Sequence, residues 1–411
     1  MSVNRFEPFL TLHEAIDLLG VSRSTFDRWR KQKRLPVIKI GKEIWIDKNE
    51  LEQWVRHHSS SRPDAQKPSV PAFDLRPSSG RMTVAVGYQS GSAHMWTALL
   101  MKELGWFEEE LARVCPQASV RWIDAANGPS LLQGLIGGSI QIASLGDYPI
   151  MLGFSLSRSL PAFRPVLLAF DGKTAGGRGI SLVARKDLVI RCASELAGLP
   201  LATVPQSSAG RRLAKWLRSL GYGEERLVHK DIAESTAALR LGEIAGSVMW
   251  EPHVTLMEQR GEGKIFFKEG FGEDYLTGIV AEENWARQHP EAAAAYVKAH
   301  IRVHHLLRGD VHVASRIISR LSGIPAETAA RIIAKVRWDA SVYDKDLRTL
   351  SRLMPEEAAT KEAGAADAPR DAGGTDYSPM SEYFRRAVEA LKLPDPGARP
   401  VQGDWSDEQH Y

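Results

Sequence analysis

"GPSLLQGLIGGSIQIASLGDYP", residues 128–149, places a helix, a strand and a loop in direct succession. Pro129 opens an apolar helical run, "IQIASL" reads as a short buried strand, and Gly146–Pro149 read as a loop. Immediately upstream, "RMTVAVGY" (81–88) alternates like a strand and ends in the small-residue loop "QSGSAH" (89–94). "MWTALLMKELGWFEEELA" (95–112) then reads as one amphipathic helix, and "SVRWIDAA" (119–126) as a second strand. Strand–helix–strand alternation implies a mostly parallel sheet with helices on its faces.

Downstream, "GISLVARKDL" (179–188) looks like a crossing strand. "PLATVPQSSAGRRLAKWLRSLGY" (200–222) is a fresh strand, loop and helix, and residues 225–258 repeat the pattern and include the loop "WEP" (250–252). Two α/β lobes with the chain crossing between them describe a hinged cleft. Ligands of such sheets sit where strand ends meet helix N-termini. Four loops occupy that position: "QSGSAH", "GDYP", "QSSAG" and "WEP". The candidate ligand-binding residues are Gln89, Ser90, Gly91, Ser92, His94, Gly146, Asp147, Tyr148, Ser207, Ser208, Trp250 and Glu251. Ser90–Ser92 and Ser207–Gly210 are the best anion nests, because exposed amides at helix starts favour negative charge. The plain alternative is that these Ser and Gly residues only make turns. His94 in particular suits packing as well as ligand contact.

Residues 81 to about 355 resemble the alkanesulfonate, taurine, nitrate and thiamine-precursor branch of periplasmic-type solute-binding proteins. The resemblance rests on "VGYQSG", "GPSLLQGLIGGSIQIASLGDYP", "SSAGRRLAKWL", "LRLGEIAGSVMWEPHVTLME" and the tail "HPEAAAAYVKAHIRVHHLL…VRWDASVYDKDLRTL". It implies a two-lobed, type II periplasmic-binding-protein-like domain with Asp147 and Tyr148 turned toward the cleft. Trp250-Glu251-Pro252 match a position where relatives carry Trp-Asp-Pro. The longer Glu251 alters pocket size and, facing an amine, suits a taurine-like zwitterion; a surface hinge role is the alternative. The thiamine-precursor synthases of this fold use a cysteine-rich motif that this chain lacks, so an enzyme is disfavoured.

The N-terminal stretch is of another kind. Thr11 and Glu14 form a capping box before the helical run Leu12, Ala15, Ile16 and Leu19. Gly20 ends that helix, Ser22 caps a second one carrying Phe26 and Trp29 inward, "VIKIGKEIWID" reads as a hairpin, and Asp47 caps a closing helix. From Ser22 to Lys42 the net charge is +7, with Asp27 the single acid. This order of cap, turn, wing and helix resembles the excisionase-type helix-turn-helix, a small relative of the MerR winged-helix family. The resemblance implies double-stranded DNA as partner, with Ser24, Thr25 and Arg28 near base edges and Arg23, Lys31, Lys39 and Lys42 on phosphates; Lys33 and Arg34 add to the basic face. A solvated helical hairpin with incidental charge is the alternative.

The domains expected are therefore a helix-turn-helix over 1–58, a flexible linker over 59–80, a ligand-sensing body over 81–358, a disordered insertion over 359–379, and a C-terminal helix and tail over 380–411. Four prolines in 59–80 and the Ala/Gly-rich polarity of 359–379 carry the two tether assignments. The whole chain has 411 residues and a net charge of only +3, so any electrostatic grip on nucleic acid is local. With Cys115 and Cys192 the only cysteines, and no CxxC or Cys/His cluster, neither a disulfide framework nor a zinc site is suggested. His57-His58 and His304-His305 are adjacent pairs that face different sides of a helix, so no metal and no cofactor is expected. "DGKTAGG" (171–177) lacks the upstream glycine of a phosphate-binding loop.

Polar residues Glu7, His13, Glu14 and Asp17 interrupt any leader-like run, and no apolar stretch is long enough to span a membrane. The expectation is a cytoplasmic, homodimeric, one-component transcription regulator whose body senses a small anionic or zwitterionic effector, from the sulfonate, taurine, nitrate or pyrimidine class. The alternatives are a substrate-binding protein of an ABC transporter and an enzyme on the same fold.

Overall fold

The computed structural model describes residues 9–19, 23, 26, 29–30, 35, 37–40, 43–47, 50–51, 54, 82–160, 162–224, 227–353, 382–392 and 404–405. The linker expected at 59–80 and the insertion expected at 359–379 lie outside these residues.

In the N-terminal head, β1 (Phe9–Thr11) leads into α1 (Leu12–Leu19), and β2 (Ile38–Ile40) pairs with β3 (Glu43–Asp47). The hairpin is antiparallel with Ile40 opposite Glu43, as the alternating sequence around Gly41-Lys42 requires. β1 adds to the other edge of β3, in the order β1-β3-β2. That strand was not legible, since three residues carry no period. Asp47 Oδ1 accepts from Glu50 N at 3.1 Å, the expected cap. Ala15, Phe26, Leu35, Ile46, Leu51 and Trp54 form the head's core, with half-buried Trp29 5.4 Å from Trp54.

The body has two sheets. The first runs β14-β7-β13-β6-β4-β5, from β4 (Thr83–Tyr88), β5 (Ser119–Asp124), β6 (Ile142–Gly146), β7 (Pro165–Thr174), β13 (Tyr275–Glu282) and β14 (Arg337–Trp338). The second runs β10-β9-β11-β8-β12, from β8 (Ile180–Arg185), β9 (Leu201–Thr203), β10 (Leu227–His229), β11 (Gly246–Trp250) and β12 (Gly263–Phe266). Each has its own apolar core, one around Trp96, Phe107, Phe170, Tyr296 and Trp338, the other around Leu182, Leu213, Val248 and Met249. The sheets are mixed rather than mostly parallel. β4 pairs parallel with β5 and β6, but β13 is antiparallel to both its neighbours, β6 and β7. The reason is topological: β13 returns from the second lobe and inserts into the first sheet.

The chain crosses between lobes after β7 and again before β13. Gly177 (φ 72°) and Gly270 (φ 143°) let the two crossings touch. A Cβ on Gly177 would stand 2.6 Å from Phe271 O, and one on Gly270 2.2 Å from Gly176 O, so neither position takes a side chain. The "DGKTAGG" stretch is thus the end of β7 and the first crossing.

Helices cover the sheets. The run 95–112 is not one helix: Gly105, at φ 66°, divides α2 (Trp96–Leu104) from α3 (Trp106–Val114). α4 (Gly128–Ile136) starts as expected, with Asn127 as its cap and Pro129 in its first turn. "GDYP" is not a loop, because β6 ends at Gly146 and α5 (Asp147–Ser157) begins at the next residue. In the second lobe lie α6 (Ser208–Ser219), α7 (Ile232–Leu241) and α8 (His253–Gln259). α9 (Glu283–Gln288), α10 (Pro290–Gly309), α11 (Val311–Ser322), α12 (Ala326–Lys335) and α13 (Asp344–Arg352) complete the first. The expected C-terminal helix is α14 (Glu382–Ala390), which buries Phe384, Ala387 and Val388 in the first lobe's core. Trp405 lies in the same core and donates its Nε1 to Asp346 Oδ1 at 2.7 Å. No described helix is long and apolar enough to cross a membrane.

Candidate functional site

The expected ligand residues converge on the seam between the lobes, and protein groups already fill that seam. Arg212, one turn into α6, reaches across to Asp147 at the start of α5: Nη2 lies 2.8 Å from Oδ2 and Nη1 3.3 Å from Oδ1. Both side chains are essentially inaccessible. Nη2 also donates to Glu273 O and Asp274 O, and Nη1 to Ser208 O. Burial opposes the Arg212 charge, but the Asp147 carboxylate outweighs it and holds its pKa above the ordinary value. Asp147 Oδ1 further accepts from Tyr148 N at 2.7 Å, and Ser208 Oγ approaches the same amide at 3.5 Å.

Arg212 was missed by sequence reasoning, because nothing in "SSAGRRLAKWL" distinguishes it from the adjacent Arg211; only its burial against Asp147 does.

Gln206, at φ 57°, turns the chain into α6, where Ser207 Oγ caps Gly210 N at 3.0 Å. The second expected nest is therefore a helix cap set against Asp147. Of the first, the Ser90 and Ser92 amides are spent. Ser90 N donates to Asp124 Oδ1 at 3.0 Å, Ser92 N to Gln89 O at 3.2 Å, and Ala93 N to Glu251 O at 2.8 Å. Gln89 is buried with its amide on Met95 Sδ. Gly91 is exposed, and its carbonyl accepts from Trp250 Nε1 at 3.0 Å, which with Ala93 N to Glu251 O adds to the bonds across the seam.

Glu251 is no surface hinge residue. It is buried, and its carboxylate accepts from Thr255 N at 3.1 Å and Thr255 Oγ1 at 2.8 Å, capping α8. Burial raises its pKa against those two bonds. His94 packs: its Nε2 is 3.2 Å from Thr174 Oγ1, its ring centroid 4.6 Å from that of Tyr275, and Gly179 abuts the imidazole edge. Burial and then the Arg212 charge press its pKa down to about 3, so it stays neutral.

Of the head's expected DNA contacts, Arg23 is exposed and Lys39 lies on β2. Ser24, Thr25, Arg28, Lys31, Lys33, Arg34 and Lys42 fall outside the described residues, as does His57-His58. His304 is buried and its neighbour His305 exposed, so that adjacent pair does face two ways.

Residues 9–59 match the family "Helix-turn-helix domain". The body is similar to the taurine-binding periplasmic protein of Escherichia coli (strain K12), 27% identical over 220 residues that cover 51% of this chain and 65% of that protein. A Bacillus subtilis (strain 168) relative is 23% identical over 203 residues, 49% of this chain and 58% of its own. The chain thus spans less than two thirds of these two relatives. Among solved structures, the alkanesulfonate-binding protein SsuA from Xanthomonas axonopodis pv. citri, bound to MOPS, superposes with a TM-score of 0.56 at 18% identity, covering 68% of this chain and 92% of that one. The periplasmic nitrate-binding protein NrtA from Synechocystis PCC 6803 gives 0.55 at 15% identity, covering 76% and 90%. At these identities the structures fix the fold alone. The chain therefore carries an N-terminal helix-turn-helix domain and a body of the periplasmic-binding-protein fold, similar to sulfonate- and taurine-binding proteins.

Proposed function

We propose that the protein is a one-component transcription regulator: the head binds duplex DNA, and the body closes on a small anionic or zwitterionic effector of the sulfonate or taurine class. The observation that carries this reading is the helix-turn-helix match over residues 9–59 on the same chain as a two-lobed cleft body. A head that reads DNA has to share a compartment with it, which argues for the cytoplasm. Dimerisation follows from the head's size, since one head offers few phosphate contacts and paired half-sites reward symmetry.

The cleft chemistry supports an anionic effector. Arg212 is the buried cation of the seam, and when the lobes part an anionic group takes the place that Asp147 now holds. A coupling of about 1–3 kcal/mol between effector and head is enough for regulation.

Two measurements test this. Duplex binding by the full chain, followed by fluorescence anisotropy, weakens steeply with salt, and the double variant Arg23→Ala, Lys31→Ala lowers the log–log salt slope by about 2. A slope unaffected by salt and by both substitutions refutes the DNA assignment. Separately, a saturating effector from a panel of taurine, alkanesulfonates, nitrate and pyrimidines raises the body's Tm by at least about 2 °C. No shift across the panel removes the sensing half.

The resemblance to periplasmic relatives favours a second reading, a transporter receptor that delivers its solute outside the cytoplasm. Cell fractionation separates the two, because a protein found only outside the cytoplasmic membrane cannot regulate transcription.

A further inference from the structure

Behind the cleft, α10 and β7 enclose a second buried polar cluster. His300 and His304 stand four residues apart on α10 and so share one face of that helix. Asp171 lies beside them on β7. One nitrogen from each ring and one Asp171 oxygen lie within 4.8 Å of one another, and all three residues are fully buried. His300 Nε2 is 2.8 Å from Phe170 O, a carbonyl that only accepts. The proton is therefore on Nε2, and Nδ1 is a bare lone pair without a partner. His304 Nε2 is 3.1 Å from Asp171 Oδ1, and its Nδ1 is likewise orphaned. Asp171 Oδ2 accepts from Thr97 Oγ1 at 2.6 Å. No Lys or Arg among the described residues pairs with Asp171; Lys173, two positions on, is committed to Asp346.

A buried carboxylate without a cationic partner and imidazole nitrogens without donors are each unfavourable, and they leave the cluster with a deficit of positive charge. A divalent cation removes it. We propose that Asp171, His300 and His304 form a zinc site that ties α10 to β7. Two imidazoles and a carboxylate are a donor set suited to Zn²⁺, and their ligand atoms, within 4.8 Å of one another, move inward to reach zinc–ligand bonds of about 2.0–2.2 Å. Phe170 O and Thr97 Oγ1 stand where outer partners of metal ligands belong, one holding the tautomer and the other the carboxylate. The site lies three residues before Thr174, where β7 ends and the first crossing begins. Zinc here stiffens the first lobe at the root of the hinge. The proposal does not depend on what the cleft binds.

The test uses the full chain, purified without a polyhistidine tag and exchanged into metal-free buffer. Elemental analysis after incubation with equimolar Zn²⁺ finds about one zinc per chain. Co²⁺ in its place gives the visible d–d absorption of a four- or five-coordinate nitrogen–oxygen site. His304→Gln abolishes both signals. Thr97→Val, which touches only the carboxylate's partner, keeps the absorption but weakens zinc binding roughly tenfold to a hundredfold, with rescue by Thr97→Ser. Absence of bound zinc and of the cobalt spectrum in the unaltered protein overturns the proposal, whatever the variants do. So does a His304→Gln protein that is folded and still carries a full equivalent of metal.

Discussion

Asp147 and Asp171 are both wholly buried carboxylates of the first lobe, and they sit in opposite kinds of surroundings. Asp147 begins α5 at the lobe seam and is matched by the Arg212 guanidinium from the other lobe. Asp171 lies inside a single lobe, where its neighbours are imidazoles and a hydroxyl, and burial drives its pKa well above the usual carboxylate range. A seam can afford a full ion pair because opening returns both charges to water. Asp171 has no such cation among the described residues, unlike Asp346 in the same lobe, which Lys173 pairs, so its carboxylate is left to a proton or a metal.

The sharpest way to break this contrast is Arg212→Ala. It strands the Asp147 charge in the seam and should cost about 3–5 kcal/mol in urea unfolding, with most of the loss recovered in the double variant with Asp147→Ala. A loss under about 1 kcal/mol would mean that the seam is already wet and the pair is not a latch.

The next test is pH. The His94 pKa is near 3 in the folded protein and 6.5 in the unfolded chain, so its contribution is whole above pH 6.5. That contribution drains as pH falls below 6.5, by up to about 1.4 kcal/mol per pH unit. His94→Gln should flatten the urea midpoint–pH curve by that amount below neutrality. Asp171 acts with the reverse sign: its raised pKa gives stability that is present at low pH and fades as pH rises past 3.8, so only the difference between wild type and variant isolates His94.

The smallest effect belongs to Trp250→Phe, which deletes the bond to Gly91 O while keeping an aromatic ring in place. It should cost about 0.5–1.5 kcal/mol and shift small-angle scattering toward a more open body. An unchanged scattering profile would leave Asp147–Arg212 as the principal tie across the seam.

Much of the fold was legible because the period of apolar residues reports burial directly. The strands at 83–88, 119–124 and 142–146, the helix start at Pro129 and the wing all follow from local pattern. The division at Gly105 escaped because the helical period continues across a single glycine. The inserted strand β13 escaped because its partners, β6 and β7, lie more than a hundred residues upstream in the chain. The site was legible as a set of loops but not as chemistry. "SGS" and "SSAG" look the same whether their amides await an anion or already serve Asp124, Gln89, Glu251 and the cap at Ser207.

The sequence by itself determined that a small basic head precedes a two-lobed α/β body, since charge, caps and periodicity are local properties of the chain. Only the tertiary structure decided which polar groups meet. It set Arg212 against Asp147, turned Glu251 onto its own helix, and brought His300 and His304 to Asp171, more than 125 residues away. Pairing across such distances is governed by packing and desolvation, and neither leaves a mark on neighbouring residues.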